Sequence, residues 1–162
     1  MTVGLLYNKR KKESVHYVQL LKKKIEEISA EESINGQKWD VVDSGDYFHD
    51  AATDDVDLLI SIGGDGTFLK TAAVAMKRDL PVLGFHLGTM GLLTEFDKND
   101  MDNTVRRLVK GEYVIEERMT LGVQIEDSEG KMLYKTTAIN DCVLTRGTLA
   151  KVAYINLFIN GA

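Results

Sequence analysis

The sequence is poor in the residues that mark several protein classes. One proline among 162 residues excludes proline-rich linkers and polyproline segments. One cysteine, Cys142, excludes an internal disulfide and fits a reducing, cytoplasmic location; the thiol reads as a small buried residue. No apolar run approaches the roughly 20 residues of a membrane helix. The short apolar stretch at residues 3–6 precedes Lys9, Arg10, Lys11 and Lys12, the reverse of the order in a secretion signal. An excess of positive charge is also missing. The formal net charge is −5, whereas a duplex-binding surface needs dense basic residues. Neither nucleic acid nor membrane is expected as a partner. His16 and His49 have no partners at metal-ligand spacing, so no protein-held metal site is expected. What remains is an ordinary globular composition, 44% hydrophobic and 28% charged, long enough to bury a sizeable core.

Hydrophobic periodicity places the elements. Residues 2–7 read as a buried strand. In residues 13–32, Val15, Val18, Leu21, Ile25 and Ile28 recur at helical spacing and define one apolar face. Residues 39–42 predict a short strand and residues 45–55 an acidic loop. Leu58-Leu59-Ile60 anchors a strand over 57–62, apolar throughout as in a parallel sheet. Residues 67–77 suit a helix capped by Thr67, residues 81–85 another strand, and residues 99–110 a helix stopped by Gly111. The alternation predicts an α/β domain over 1–112, a Rossmann-like, mostly parallel sheet with helices. From 113 to 162 the pattern changes to strand-like alternation at 114–126 and 131–139, with further strands expected at 143–144 and 152–159. This second region reads as the start of an incomplete all-β domain. The Asn160-Gly161 pair is a hairpin signal without a return strand, and the expectation is a truncated chain with little activity alone.

The chemistry concentrates at Gly63-Gly64-Asp65-Gly66-Thr67, between a buried strand and a helix. Ligands of open α/β sheets bind at the carboxyl ends of strands. Glycines let backbone amides approach a phosphate, and the following helix N-terminus favours negative charge. A carboxylate there cannot hold phosphate. It is suited to accept a proton from a hydroxyl or to bind a cation; a tight turn with Asp65 capping the helix is the plain alternative. The loop has neither the lysine-serine/threonine ending of a P-loop nor the glycine spacing of the dinucleotide fingerprint.

The loop resembles the Gly-Gly-Asp-Gly-Thr signature shared by NAD kinases, diacylglycerol and sphingosine kinases and, more distantly, phosphofructokinases. Three further segments narrow the resemblance to the bacterial NAD kinase family, N-terminal portion. Residues 84–96 (GFHLGTMGLLTEF) are similar to that family's Gly-x-Leu-Gly strand end and Leu-Thr-Glu-Phe-like run. Glu117-Arg118-Met119 resembles the junction to its β-rich domain. Residues 138–144 (AINDCVL) resemble its Leu-Asn-Glu/Asp segment. Lipid kinases show a Gly-Thr-Gly-Asn-Asp-like run where this chain has Met90-Gly91-Leu92. The family's second Gly-Asp-Gly segment and its Thr-Pro-x-Gly-Ser-Thr-Ala-Tyr-like segment are not present here.

The resemblance implies phosphoryl transfer from ATP, or polyphosphate in some members, to the adenosine ribose 2′-hydroxyl of NAD. NAD and ATP are the implied partners, Mg²⁺ or another divalent cation accompanies ATP, and a homo-oligomer is expected. Asp65 is implied as the base, with Gly64, Gly66 and Thr67 holding phosphate oxygens. Asn140 and Asp141 are implied at the adenosine end, or else form a solvated turn. Lys70 and Lys151 are candidate phosphate or ligand contacts, or surface lysines. Leu92 is a candidate for the adenine pocket, or a core leucine. The Lys9–Lys12 cluster is placed to attract ATP phosphates or is simply solvated. The competing readings are a non-catalytic nucleotide-binding fragment and a lipid kinase relative.

Overall fold

The computed structural model describes residues 1–32, 36–45, 55–145 and 154–160. It divides into two compact units, Met1–Arg118 and Met119–Ala162. The first runs β1 (Thr2–Tyr7), α1 (Lys12–Glu32), β2 (Asp40–Gly45), β3 (Leu58–Gly63), α2 (Asp65–Ala75), β4 (Val82–His86), β5 (Phe96–Asp97) and α3 (Met101–Val109). Among the described residues these strands form one parallel sheet in the order β2-β1-β3-β4-β5. The α/β expectation for this part of the chain is met.

Alternate side chains of a strand serve opposite faces of the sheet, and both faces are apolar here. Leu5 of β1 and Leu58, Ile60 and Ile62 of β3 join Val18, Leu21, Ile25 and Ile28 of α1 in one core. Met101, Val105, Leu108 and Val109 of α3 complete it. Leu59, between those β3 residues, packs instead with Val56 and with Ala75 of α2. The helical spacing in α1 therefore marks its buried stripe, except that Val15 lies at the margin of the core. Ion pairs fringe the α1–α3 seam: Lys24 reaches Asp102 at 2.6 Å, and Arg106 and Lys110 both reach Glu32. These pairs are part-buried at the rim, whereas the apolar stripes are buried in the core and hold the helix pair.

Several boundaries differ from expectation. The second strand begins after Trp39, which is itself buried in the core. Two-residue β5 was not anticipated, because a strand that short shows no alternation. Helix α2 starts at Asp65 with Gly64 as its N-cap, and no side chain caps it. Thr67 lies inside the first turn, where its amide donates to the Gly64 carbonyl at 2.9 Å. Residues 46–54, most of the expected acidic loop, lie outside the described residues.

The second unit contains β6 (Leu121–Glu126) and β7 (Met132–Ala138), an antiparallel pair. Their connection is shaped by the Asp127 carboxylate, which accepts the Glu129 and Lys131 amides at 2.9 Å each. The strands expected at 143–144 and 152–159 are not strands over their described residues. A strand exists only by pairing, and β6–β7 pairs with nothing further among the described residues. Cys142 is exposed, not buried, since a two-stranded ribbon offers no second layer to cover it. No described helix is long and apolar enough to cross a membrane.

Ile25 tests the main core. It is 0% exposed at the centre of the α1 stripe, so Ile25→Ala should cost about 2–5 kcal/mol of unfolding free energy. Urea melts followed by circular dichroism check this. A loss below about 1 kcal/mol would mean that α1 does not share the sheet's core.

Candidate functional site

The strand order dictates where a ligand can sit. From β1 the chain moves to one side of the sheet to form β2, then returns to the other side to form β3. Strands β1 and β3 are neighbours whose outgoing segments diverge, and a crevice opens at their carboxyl ends. A cavity of about 280 Å³ occupies that position. Tyr7, Asn8 and Lys11 line it from the end of β1; Gly64, Gly66, Thr67 and Lys70 line it from the glycine loop and the start of α2. Polar backbone, two lysine side chains and a helix N-terminus without a side-chain cap make this an anion-binding environment.

The loop glycines divide into two kinds. Gly64 and Gly66 have open space where a side chain would project, leaving backbone accessible to a ligand. At Gly63, a methyl group would overlap the Thr67 hydroxyl, so the strand can turn this tightly into the helix only without a side chain.

Asp65 does not cap its own helix. Its Oδ2 accepts from the Leu92 amide at 3.0 Å and its Oδ1 from the Leu93 amide at 3.2 Å. Those amides stabilise the ionised form, Leu92 foremost. They outweigh the partial desolvation that would raise the carboxyl's pKa, and the Asp65 carboxyl is held below the ordinary carboxylate value. Thr94 adds to the lowering through its amide and hydroxyl. That hydroxyl is buried and forms no hydrogen bond of normal geometry, so the Leu92 and Leu93 amides carry the contact. Gly91 lies flush against the carboxylate, and any side chain there would collide with it.

A second carboxylate braces the cavity wall. Burial pushes the Asp43 pKa up, but Lys22 at 2.7 Å, the Tyr7 hydroxyl and Lys9 more than offset this, and Asp43 is held below its usual value. Tyr7, which lines the cavity, is thereby tied to β2 and α1.

The structure places the anticipated site residues unevenly. Gly64, Gly66, Thr67 and Lys70 line one cavity, while Asp65, between the two glycines, turns its carboxylate to the Leu92 and Leu93 amides. Leu92 is 93% exposed beside Asp65, which excludes the core-leucine reading. Lys11 alone of the early basic cluster lines the cavity; Lys9 lies across Gly45. Asn140 and Asp141 are exposed in the bend after β7, in the second unit. Lys151 and His49 lie outside the described residues. Sequence reasoning missed Asn8, Tyr7 and the amides of Leu92 and Leu93. Main-chain donors leave no residue-type signal; the one available hint is the glycine at position 91, which a close approach requires.

Comparison with known proteins gives a consistent set of likenesses. A family model described as the ATP-NAD kinase N-terminal domain matches residues 3–113. The NAD kinase of Acetivibrio thermocellus is 31% identical over 166 residues, covering 100% of this chain and 56% of that protein. The NAD kinase of Corynebacterium diphtheriae is 50% identical over 90 residues, covering 56% of this chain and 28% of that protein. The fold resembles the crystal structure of yeast NADH kinase complexed with NADH, with a TM-score of 0.61 at 20% identity over 86% of this chain and 47% of that one. The chain thus spans about half the length of relatives that match it throughout.

The Asp65 geometry predicts a pH dependence of stability. Folding lowers this carboxyl's pKa. The stabilisation is therefore complete above the unfolded value of about 3.9 and is lost as pH falls through the lower folded value. Asp65→Asn should flatten the acid limb, so that wild type loses more stability than the variant on going from neutral pH to about pH 3. Denaturant melts at both pH values check this; parallel losses would show that the amides do not prefer the anion.

Proposed function

The chain belongs to the ATP-NAD kinase family, and from that premise we propose that it supplies the phosphoryl-transfer centre of an NAD kinase, converting NAD to NADP. The observation that carries this reading is an amide-held carboxylate on the residue between Gly64 and Gly66, the two loop glycines that line an anion-binding crevice. The donor's phosphates occupy the cavity, against the Gly64 and Gly66 backbone, the Thr67 side of α2, Lys11 and Lys70. The acceptor ribose lies beside Asp65, with Leu92 offering an apolar surface to the adenine. In the second unit, Asn140 and Asp141 are carried to a role at the adenosine end, and Lys151 to a further basic contact, by the family resemblance alone.

The ribose 2′-oxygen attacks the terminal phosphorus, the bond to the departing diphosphate breaks, and the hydroxyl proton passes to Asp65. A carboxylate stabilised by amides is a weak base. It orients the hydroxyl first and takes the proton late, when the forming ester has made it acidic. Lys11 and Lys70 offset charge on the phosphates, which is most of what such a transfer requires. A divalent cation such as Mg²⁺ would be held by phosphate oxygens, because the cavity's own side chains are chiefly cationic or neutral donors. A reducing cytoplasm suits the single exposed thiol of Cys142.

Steady-state kinetics test the assignment, using this chain followed by the C-terminal part of the Acetivibrio thermocellus relative. The chimera should form NADP from NAD and ATP. Asp65→Asn should lower kcat by about 10²–10⁴ while the NAD KM stays within a few-fold. Lys11→Ala with Lys70→Ala should raise the ATP KM, and Asn140→Ala with Asp141→Ala the NAD KM, each by roughly ten-fold for about 1.4 kcal/mol of lost contact. A folded chimera that makes no NADP, or an Asp65→Asn rate near wild type, would sink the assignment.

The assembly we propose is a homo-oligomer, supported by the exposed Leu121, Ile125, Met132, Leu133 and Tyr134 of the β6–β7 ribbon, which invite association. Light scattering should give a mass above that of one chain. A monodisperse monomer across micromolar concentrations would refute this.

A further inference from the structure

The two amides that grip Asp65 belong to a segment, residues 87–93, that is neither helix nor strand. Its own hydrogen-bond pattern does not place it, so other groups must. One anchor is the Leu87 amide, which donates to the Gly63 carbonyl at 3.0 Å. A second is a side chain. His86 ends β4, in register with Gly63 on one side and Asp97 on the other. Its ring is buried, 3% exposed. Nδ1 lies 3.2 Å from the Gly88 carbonyl oxygen. Nε2 has no hydrogen-bond partner, and the Asp97 carboxylate oxygen 3.8 Å from it is beyond hydrogen-bond reach.

This environment selects a tautomer. A carbonyl oxygen only accepts, so Nδ1 must carry the proton to bond with Gly88. The other neutral form would set two lone pairs against each other and leave the Nε2 proton without an acceptor in reach. The Nδ1–H form still leaves one buried nitrogen unsatisfied, at a cost in stability. A leucine would fill the space without that cost, so filling space does not account for the ring. The bond to Gly88 does.

We infer that His86 is a positioning residue: its Nδ1–H bond to the Gly88 carbonyl fixes the turn that presents the Leu92 and Leu93 amides to Asp65. The catalytic consequence rests on the proposed kinase reading; the structural linkage does not. Loss of the bond lets the 88–93 segment drift, and Asp65 loses both its orientation and the groups that stabilise its charge.

Two substitutions separate the ring nitrogens. The asparagine amide falls where Nδ1 lies, whereas the glutamine amide falls nearer Nε2. Carboxyl-carbon NMR of this chain, titrated with acid, should show Asp65 in His86→Asn titrating with wild type. In His86→Leu and His86→Gln it should titrate at higher pH, toward ordinary carboxylates. An unchanged Asp65 titration in the latter two, or rescue by Gln and not by Asn, would overturn the linkage. Should the variants not fold, long-range nitrogen–proton spectra of wild type decide: a proton on Nδ1 is required, and a neutral ring protonated at Nε2 refutes the assignment. In the chimera, His86→Leu and His86→Gln should lower kcat about ten-fold or more, with the ATP KM unchanged and activity recovered in His86→Asn. A wild-type chimera without NADP formation would count against the kinase reading alone, since the NMR result stands independently.

Discussion

The Asp65 carboxylate accepts from amides 27 and 28 residues further along the chain, and that contact ties the glycine loop to a segment it otherwise only approaches. Both oxygens are engaged, each by a different main-chain donor. The side chain therefore has a defined direction although it stands at the first helical position of α2, where a carboxylate would ordinarily look to the helix's own amides. Gly91 permits the approach because it has no side chain to strike the carboxylate. The loop on its own could have been a capped turn. With the second segment docked on it, the carboxylate points across the end of the sheet.

That contact needs a frame that does not yield, and the parallel sheet supplies it. Strands β3 and β4 lie in register from Leu59 with Val82 to Gly63 with His86, so the roots of the two segments are side by side. The frame is held on one face by the α1 and α3 apolar stripes and on the other by α2. A parallel sheet covered on both faces has little freedom to shear, since both layers would have to repack. The crevice between β1 and β3 follows from the same topology. Lys11 and Lys70 reach it from opposite sides because one follows β1 and the other lies on the helix after β3.

Much of this was legible in the residues. The α1 stripe, the apolar run at Leu58-Leu59-Ile60 and the glycine loop between strand and helix reflect strong local periodicity, and each stands where it was read. The failures have physical causes. Thr67 looked like a cap because capping residues are recognised by type, but the helix begins three residues earlier than that and Gly64 takes the cap position. Phe96–Asp97 is a strand only because β4 pairs with it. Val143 and Leu144 carry strand-like side chains but have no partner strand among the described residues, and propensity does not substitute for pairing. Cys142 was read as buried from residue type, which says nothing about whether a second layer exists to bury it. The donors to Asp65 were invisible, since every residue but proline carries an amide.

Holding the carboxylate with amides has opposing effects on the chemistry. A more basic Asp65 would draw the hydroxyl proton more readily, and burial without partners would have raised its basicity. The observed arrangement does the reverse. For a ribose hydroxyl, far less acidic than any carboxylic acid, a modest gain in base strength in the ground state leaves the alcohol protonated all the same. What limits a transfer with a loose transition state is alignment of the attacking oxygen with the phosphorus and compensation of charge on the phosphate oxygens. In the proposed transfer, an anion fixed by two amides would give that alignment over the whole neutral range. In the same reading, the cationic cavity lined by Lys11 and Lys70 would give the compensation. The carboxylate and the lysines need to be kept apart as well as close, because a direct ion pair would cancel both. Asp65 is satisfied by main-chain donors that carry no net charge, and in the proposed transfer this would leave the lysines to answer the charge on the donor's phosphates.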